Sequence, residues 1–138
     1  MNRESALTIG VAATLAASFV WHGPGGGGER FAGRIERTMR ATLDHYEMQQ
    51  VTTRLQRDPL TRRLLLDGPA DSFQRAEISR IALEVPGLGS AHWSGPRNPP
   101  RMLPLLAEVM LLALTAFAIG VVLVYIAALR RRSREAFG

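Results

Sequence analysis

The chain has 138 residues, 17 arginines and no lysine against 12 acids, a formal net charge of +5 and no cysteine. The lack of cysteine excludes disulfides, thiol catalysis and cysteine-ligated metal, and the length suits one compact domain with anchors. Acids are interspersed among the arginines, whereas a nucleic-acid binder would show a basic stripe with interleaved aromatics, so nucleic acid is not an expected partner.

Mean hydropathy is +0.02, but the apolar residues concentrate at the two ends. From Ser5 to Trp21 there are seventeen residues without a charge, at the short end for a helix that crosses a bilayer. Trp21 suits the aromatic belt of a membrane interface. Two readings of residues 1–22 stay open. They form a retained transmembrane anchor, or a signal peptide cleaved near Ala16, Ala17 and Ser18. The apolar run continues through Phe19, Val20 and Trp21, which favours the anchor. Ala6, Gly10, Ala13 and Ala17 make a small-residue stripe at helical spacing.

Residues 23–28, GPGGGG, read as a flexible linker. The glycine run lacks the Gly-Lys-Ser/Thr ending and preceding strand of a phosphate-binding loop. A helix follows, with Phe31, Ile35, Met39, Leu43 and Tyr46 at steps of three and four. Val51, Thr53 and Leu55 alternate with polar residues as a strand. A turn at Asp58-Pro59-Leu60-Thr61 leads to a second strand that ends at Gly68-Pro69 and pairs as an antiparallel hairpin. Asp71 is an N-cap and Gln74 completes a capping box for a second helix. Phe73, Ile78, Ile81, Ala82 and Val85 form its apolar face, and Pro86-Gly87 stops it. Leu88–Trp93 reads as a third strand. The fold class is therefore α+β: an αββαβ domain over 29–93, with both helices on one sheet face, flanked by two transmembrane helices.

Residues 94–101, SGPRNPPR, form a stiffer proline-rich linker. The second span covers 102–130, with twenty-one uncharged residues from Val109 to Leu129, long enough to cross a bilayer. Pro104 sits near its start, where a missing amide donor costs little. Glu108 lies nearby at interfacial depth, where a helix N-terminus favours negative charge, which accounts for it better than proton transport does. Tyr125 suits the far interface. Arg130, Arg131 and Arg132 stop the span, and Arg134 follows in the basic tail 131–138. Basic short segments stay cytoplasmic, so both termini are expected there. In a bacterium the chain would be a two-pass inner-membrane protein with its middle domain in the periplasm. Ala113, Ala116 and Gly120 form a second small-residue stripe. The two stripes pack the helices together, dock them on a larger membrane complex, or simply reflect abundant alanine.

The stretch from Val51 to Trp93 resembles a BON domain, a small module of bacterial envelope proteins. The matching features are the hairpin ending in Leu64-Leu65-Leu66-Asp67-Gly68, the polar helix start at Asp71-Ser72, and Val85-Pro86-Gly87-Leu88 leading into an alternating strand. With the preceding helix the resemblance extends over about 29–93. It departs in having Leu88 where valine is usual and no glycine in the Asp58-Pro59 turn. The stretch is also similar to the segment ahead of peptidoglycan-binding domains in some proteobacterial outer-membrane-porin-A-like proteins.

The resemblance implies binding of phospholipid or a protein partner, not catalysis. Arg62, Arg63, Arg75 and Arg80 would meet phosphate headgroups or a partner as charge-assisted donors; otherwise they are an ordinary solvated face. His22, His45 and His92 lack metal-ligand spacing, and Ser90 with His92 is too common a pairing to signal a nucleophile. No cofactor, metal or catalytic residue is expected. Two functions remain. One is a membrane-anchored envelope protein whose domain binds lipid headgroups or a protein. The other is an accessory or assembly subunit of a larger membrane complex, held through its helices.

Overall fold

In the computed structural model, which describes residues 2–95 and 102–136, α1 (Arg3–His22) ends in a hydrogen-bonded turn. The Gly23 amide donates to the Phe19 carbonyl at 2.9 Å and the Gly25 amide to Val20 at 2.6 Å. α2 (Gly27–His45) starts at once. The expected flexible linker at 23–28 is therefore corrected to a tight corner, with Gly27 and Gly28 inside the first turn of α2. Their lack of a side chain serves close packing. A Cβ on Gly27 would lie 2.7 Å from the Trp21 carbonyl oxygen, and one on Gly28 would lie 3.1 Å from that of His22. Arg30 stacks on the Trp21 ring at 5.2 Å and braces the corner.

The apolar stripe of α2 buries Ala32, Ile35, Met39 and Leu43. β1 (Thr52–Arg57) pairs antiparallel with β2 (Leu60–Asp67), with a register shift between Leu55 and Arg57. The hairpin loop is only Asp58 and Pro59, shorter than the expected four-residue turn. β3 (Ser90–Trp93) runs parallel to β2, giving the order β1-β2-β3. It is two residues shorter than Leu88–Trp93, because Leu88 is still held in the preceding turn by its amide bond to the Val85 carbonyl.

α3 (Ser72–Leu83) opens on the expected capping box: the Gln74 amide donates to Asp71 Oδ1 at 2.8 Å, and the Asp71 amide to Gln74 Oε1 at 3.0 Å. Ile78 and Ala82 of α3 join Leu55, Leu64 and Leu66 of the sheet and the α2 stripe in one core. The helix–strand–strand–helix–strand order is thus present, with both helices packed into one sheet face. Gly68 (φ +138°) and Gly87 (φ +104°), which close the second strand and the second helix, both sit in backbone regions that L side chains rarely adopt.

Polar staples tie α2 along β1. The Glu36 carboxylate accepts from the Leu55 amide at 2.8 Å and from both terminal nitrogens of Arg57 at 2.7 and 3.1 Å. Arg40 donates to the Val51 carbonyl at 2.8 Å. These bonds satisfy backbone groups that a sheet edge would otherwise expose.

α4 (Leu105–Ala136) is continuous and runs on past the expected end of the span at 130, so that Arg131, Arg132 and Arg134 lie within the helix. Glu4–His22 and Leu105–Arg132 are both long and apolar enough to cross a membrane, with mean hydropathies of 1.4 and 2.7. Of the proline-rich linker only Ser94 and Gly95 lie among the described residues.

Candidate functional site

The four arginines singled out from the sequence do not converge. Arg62 and Arg63 are neighbours on β2 and therefore point to opposite faces of the sheet. Arg62 Nε donates to the Gly87 carbonyl at 2.8 Å, and its terminal nitrogen reaches the Glu108 carboxylate at 3.5 Å. Arg63 is buried and donates to Gln56 Oε1 at 3.0 Å. On α3, Arg75 lies over the Trp93 ring at 5.2 Å and donates to the Ala70 carbonyl. Arg80 is clamped between Glu77 at 2.6 Å and Glu84 at 2.7 Å. That pairing holds the Glu77 carboxyl below its ordinary range, chiefly through the hydrogen bond from Arg80. Each guanidinium thus already has a partner within the chain.

What the fold does assemble is apolar. A groove of about 230 Å³ opens between the C-terminal half of α2 and α3. Met39, Leu43, Met48, Ile78 and Ile81 form its lining, with Tyr46 and Phe73 as aromatic walls and Thr42, Gln74 and Glu77 as the polar part. Phe73 is 77% exposed and Tyr46 55% exposed. Both were expected in the core. Phe73 precedes Ile78 by five residues, about 140° around a helix of 3.6 residues per turn, so it leaves the buried stripe. Tyr46 lies one residue past the end of α2. The groove sits far from the corner at Gly26: Met39 is thirteen residues, about 20 Å of helix, further on.

Ser90 donates its hydroxyl to Met102 Sδ at 3.1 Å, and His45 meets the Tyr46 ring edge-on. Among the described residues, no three His, Asp or Glu side chains gather as they would to hold a metal.

The second assembled feature is the antiparallel pair of α1 and α4. A Cβ on Gly10 would lie 2.7 Å from the Phe117 ring, so Gly10 is the notch that receives it. The half-buried residues of α1 are Gly10, Val11, Thr14, Leu15, Ser18 and His22. Thr14 and Ser18 return their hydroxyls to the carbonyls of Gly10 and Thr14. Of the α1 stripe, Gly10 lies in the contact, Ala13 and Ala17 are exposed, and Ala6 lines a cleft further along. On α4, Ala113 is half-buried, but Ala116 and Gly120 are exposed and nothing lies within 4 Å of a Cβ at Gly120. Bulk decides this: the large Phe117, not the glycine of its own helix, fills the notch. Arg130, Arg131 and Arg132 are exposed at the far end of α4.

Comparison with protein-family models, with curated proteins and with solved structures finds no match.

Proposed function

We propose that the protein is a two-pass, membrane-anchored binding module of the bacterial envelope, whose BON-like domain takes an apolar segment of a protein partner in the α2–α3 groove. The observation that carries this reading is Phe73: a large aromatic ring, 77% exposed, on the wall of an apolar groove in the soluble domain. Exposed aromatics around a concave apolar surface are the usual anchors of protein recognition. The engagement of Arg62, Arg63, Arg75 and Arg80 by partners within the chain turns the choice away from lipid headgroups on this domain. The arginines at the end of α4 support cytoplasmic termini and a periplasmic domain.

A second reading, an accessory subunit held through its helices, is favoured by one observation: Ala13, Ala17, Ala116 and Gly120 remain outside the α1–α4 contact. Native sizing of the full chain in mild detergent separates the two. Phe73→Glu should release the partner and shrink the complex, while Gly120→Leu leaves it intact. Loss with Gly120→Leu alone would replace the first reading with the second. Reporter fusions after Gly95 and Arg134 test the orientation; a cytoplasmic signal at Gly95 would reverse it.

A further inference from the structure

Beyond the Gly10–Phe117 contact, α1 and α4 frame a second cleft of about 470 Å³, within the range of roughly 300–1,000 Å³ for small-molecule sites. Its walls are Leu7 of α1 and, on α4, Val121, Val124, Tyr125, Ala128 and Arg132. Val121, Tyr125, Ala128 and Arg132 follow one another at steps of four, three and four, with Val124 beside Tyr125, and so share one face of that helix. Val121 and Arg132 are eleven residues apart, about 16 Å of helix, close to one leaflet of a hydrocarbon core of about 30 Å.

The polarity of the cleft is graded. Its inner part is aliphatic, Tyr125 adds a phenol, and Arg132 closes the end with Arg130 and Arg131 nearby in α4. Among the described residues no acid lines it; Glu4 is exposed and outside the lining. A surface apolar along one leaflet's depth and cationic at its mouth matches an acyl chain under a phosphate. Neither a free anion nor a neutral apolar peptide uses both halves.

We infer that the α1–α4 cleft is a seat for one anionic phospholipid, its acyl chain along Leu7, Val121, Val124 and Ala128 and its phosphodiester on Arg132. Arginine binds phosphate oxygens with two aligned N–H donors, and basic clefts between membrane helices suit anionic headgroups. The inference rests on α1 and α4 crossing a bilayer and is independent of what the α2–α3 groove holds.

The test is thermal unfolding of the full chain in neutral detergent with added phosphatidylglycerol, phosphatidylcholine or inorganic phosphate. Phosphatidylglycerol should raise the Tm by about 5 °C, and the other two should not. Arg132→Gln, which removes the charge, and Ala128→Phe, which fills the cleft, should each abolish the shift. Arg131→Gln, outside the lining, should keep most of it. An equal shift with phosphatidylcholine would overturn the inference. So would a shift that survives Ala128→Phe, or one lost equally in Arg131→Gln, which would assign it to the basic helix end as a whole. Alkaline carbonate washing of membranes keeps the two readings apart. A chain that washes off overturns the membrane anchor itself, whereas a retained chain with no lipid shift overturns only the lipid seat.

Discussion

Arg62 of β2 reaches the carboxylate of Glu108 in the first turn of α4 at 3.5 Å, joining the αββαβ domain directly to a membrane-length helix. The same guanidinium holds the Gly87 carbonyl at 2.8 Å. Leu105 is buried nearby, and Met102 lies against Gly89. The domain is therefore seated on α4 by side-chain contacts as well as by the linker.

The two arms of Arg62 predict unequal losses. Glu108→Gln removes only a partly exposed ion pair and should cost up to about 1 kcal/mol. Arg62→Gln also leaves the Gly87 carbonyl without its donor and should cost about 1–2 kcal/mol. Thermal unfolding of both single variants and the double variant gives the coupling; equal losses from the two singles would show that the Gly87 bond contributes nothing.

The Gly10 notch predicts a steric switch. Gly10→Leu should drive α1 from α4, because even a Cβ there would lie 2.7 Å from the Phe117 ring. Phe117→Ala should restore the contact by vacating the space. Thermal unfolding of the full chain in mild detergent reads this. Gly10→Leu should lower the Tm, and the Gly10→Leu/Phe117→Ala pair should recover part of that loss; a Gly10→Leu chain that melts with the parent would contradict the notch.

Glu36 predicts the acid behaviour of the domain. The hydrogen bonds from Arg57 hold its carboxyl below the ordinary 4.5, outweighing partial burial, which acts the other way. Below 4.5 the unfolded chain binds more protons than the folded one. The stability from this pair is therefore complete above 4.5 and is lost as pH falls through the lower folded value. Melting curves taken from about pH 6 to about pH 3 should show Tm falling in that acid window, and Glu36→Gln should reduce the slope. Glu77 is shifted in the same direction, but its exposed pairing with Arg80 contributes little.

Gly68 predicts a backbone-limited site. Its φ is +138°, and a Cβ there would lie 2.6 Å from the Gln50 carbonyl oxygen. Gly68→Ala should cost at least about 2 kcal/mol, since strain and clash add. A melting temperature equal to the parent's would mean that this turn can relax.

The features legible in the sequence are those encoded by neighbours. Val51, Thr53 and Leu55 alternate with polar residues, Asp71 and Gln74 sit three apart, and the uncharged run before Arg130 has the length of a bilayer; the hairpin, the capping box and α4 follow. Contacts across long separations were not legible. Arg62 reads as a free cation because Glu108 is 46 residues away. Gly27 and Gly28 read as slack because the close approach of Trp21 and His22 is a product of the fold. The α2–α3 groove could have been suspected from Phe73, five residues before Ile78 and so off the stripe of α3, whereas Tyr46 continues the α2 stripe in sequence and is exposed because α2 ends at His45. Gly10 was legible as a small residue, but its partner Phe117 was not, since a notch is filled by bulk and a search for matching small residues passes over it.

The central claim, that the α2–α3 groove holds a protein partner, is tested most directly by a photoreactive residue at position 73 of the full chain in native membranes. The account predicts one discrete protein adduct at that position, lost when Ile81→Arg puts a charge inside the groove and absent when the probe is moved to Arg54 on the sheet. No adduct at 73, or one that persists with Ile81→Arg, would contradict it.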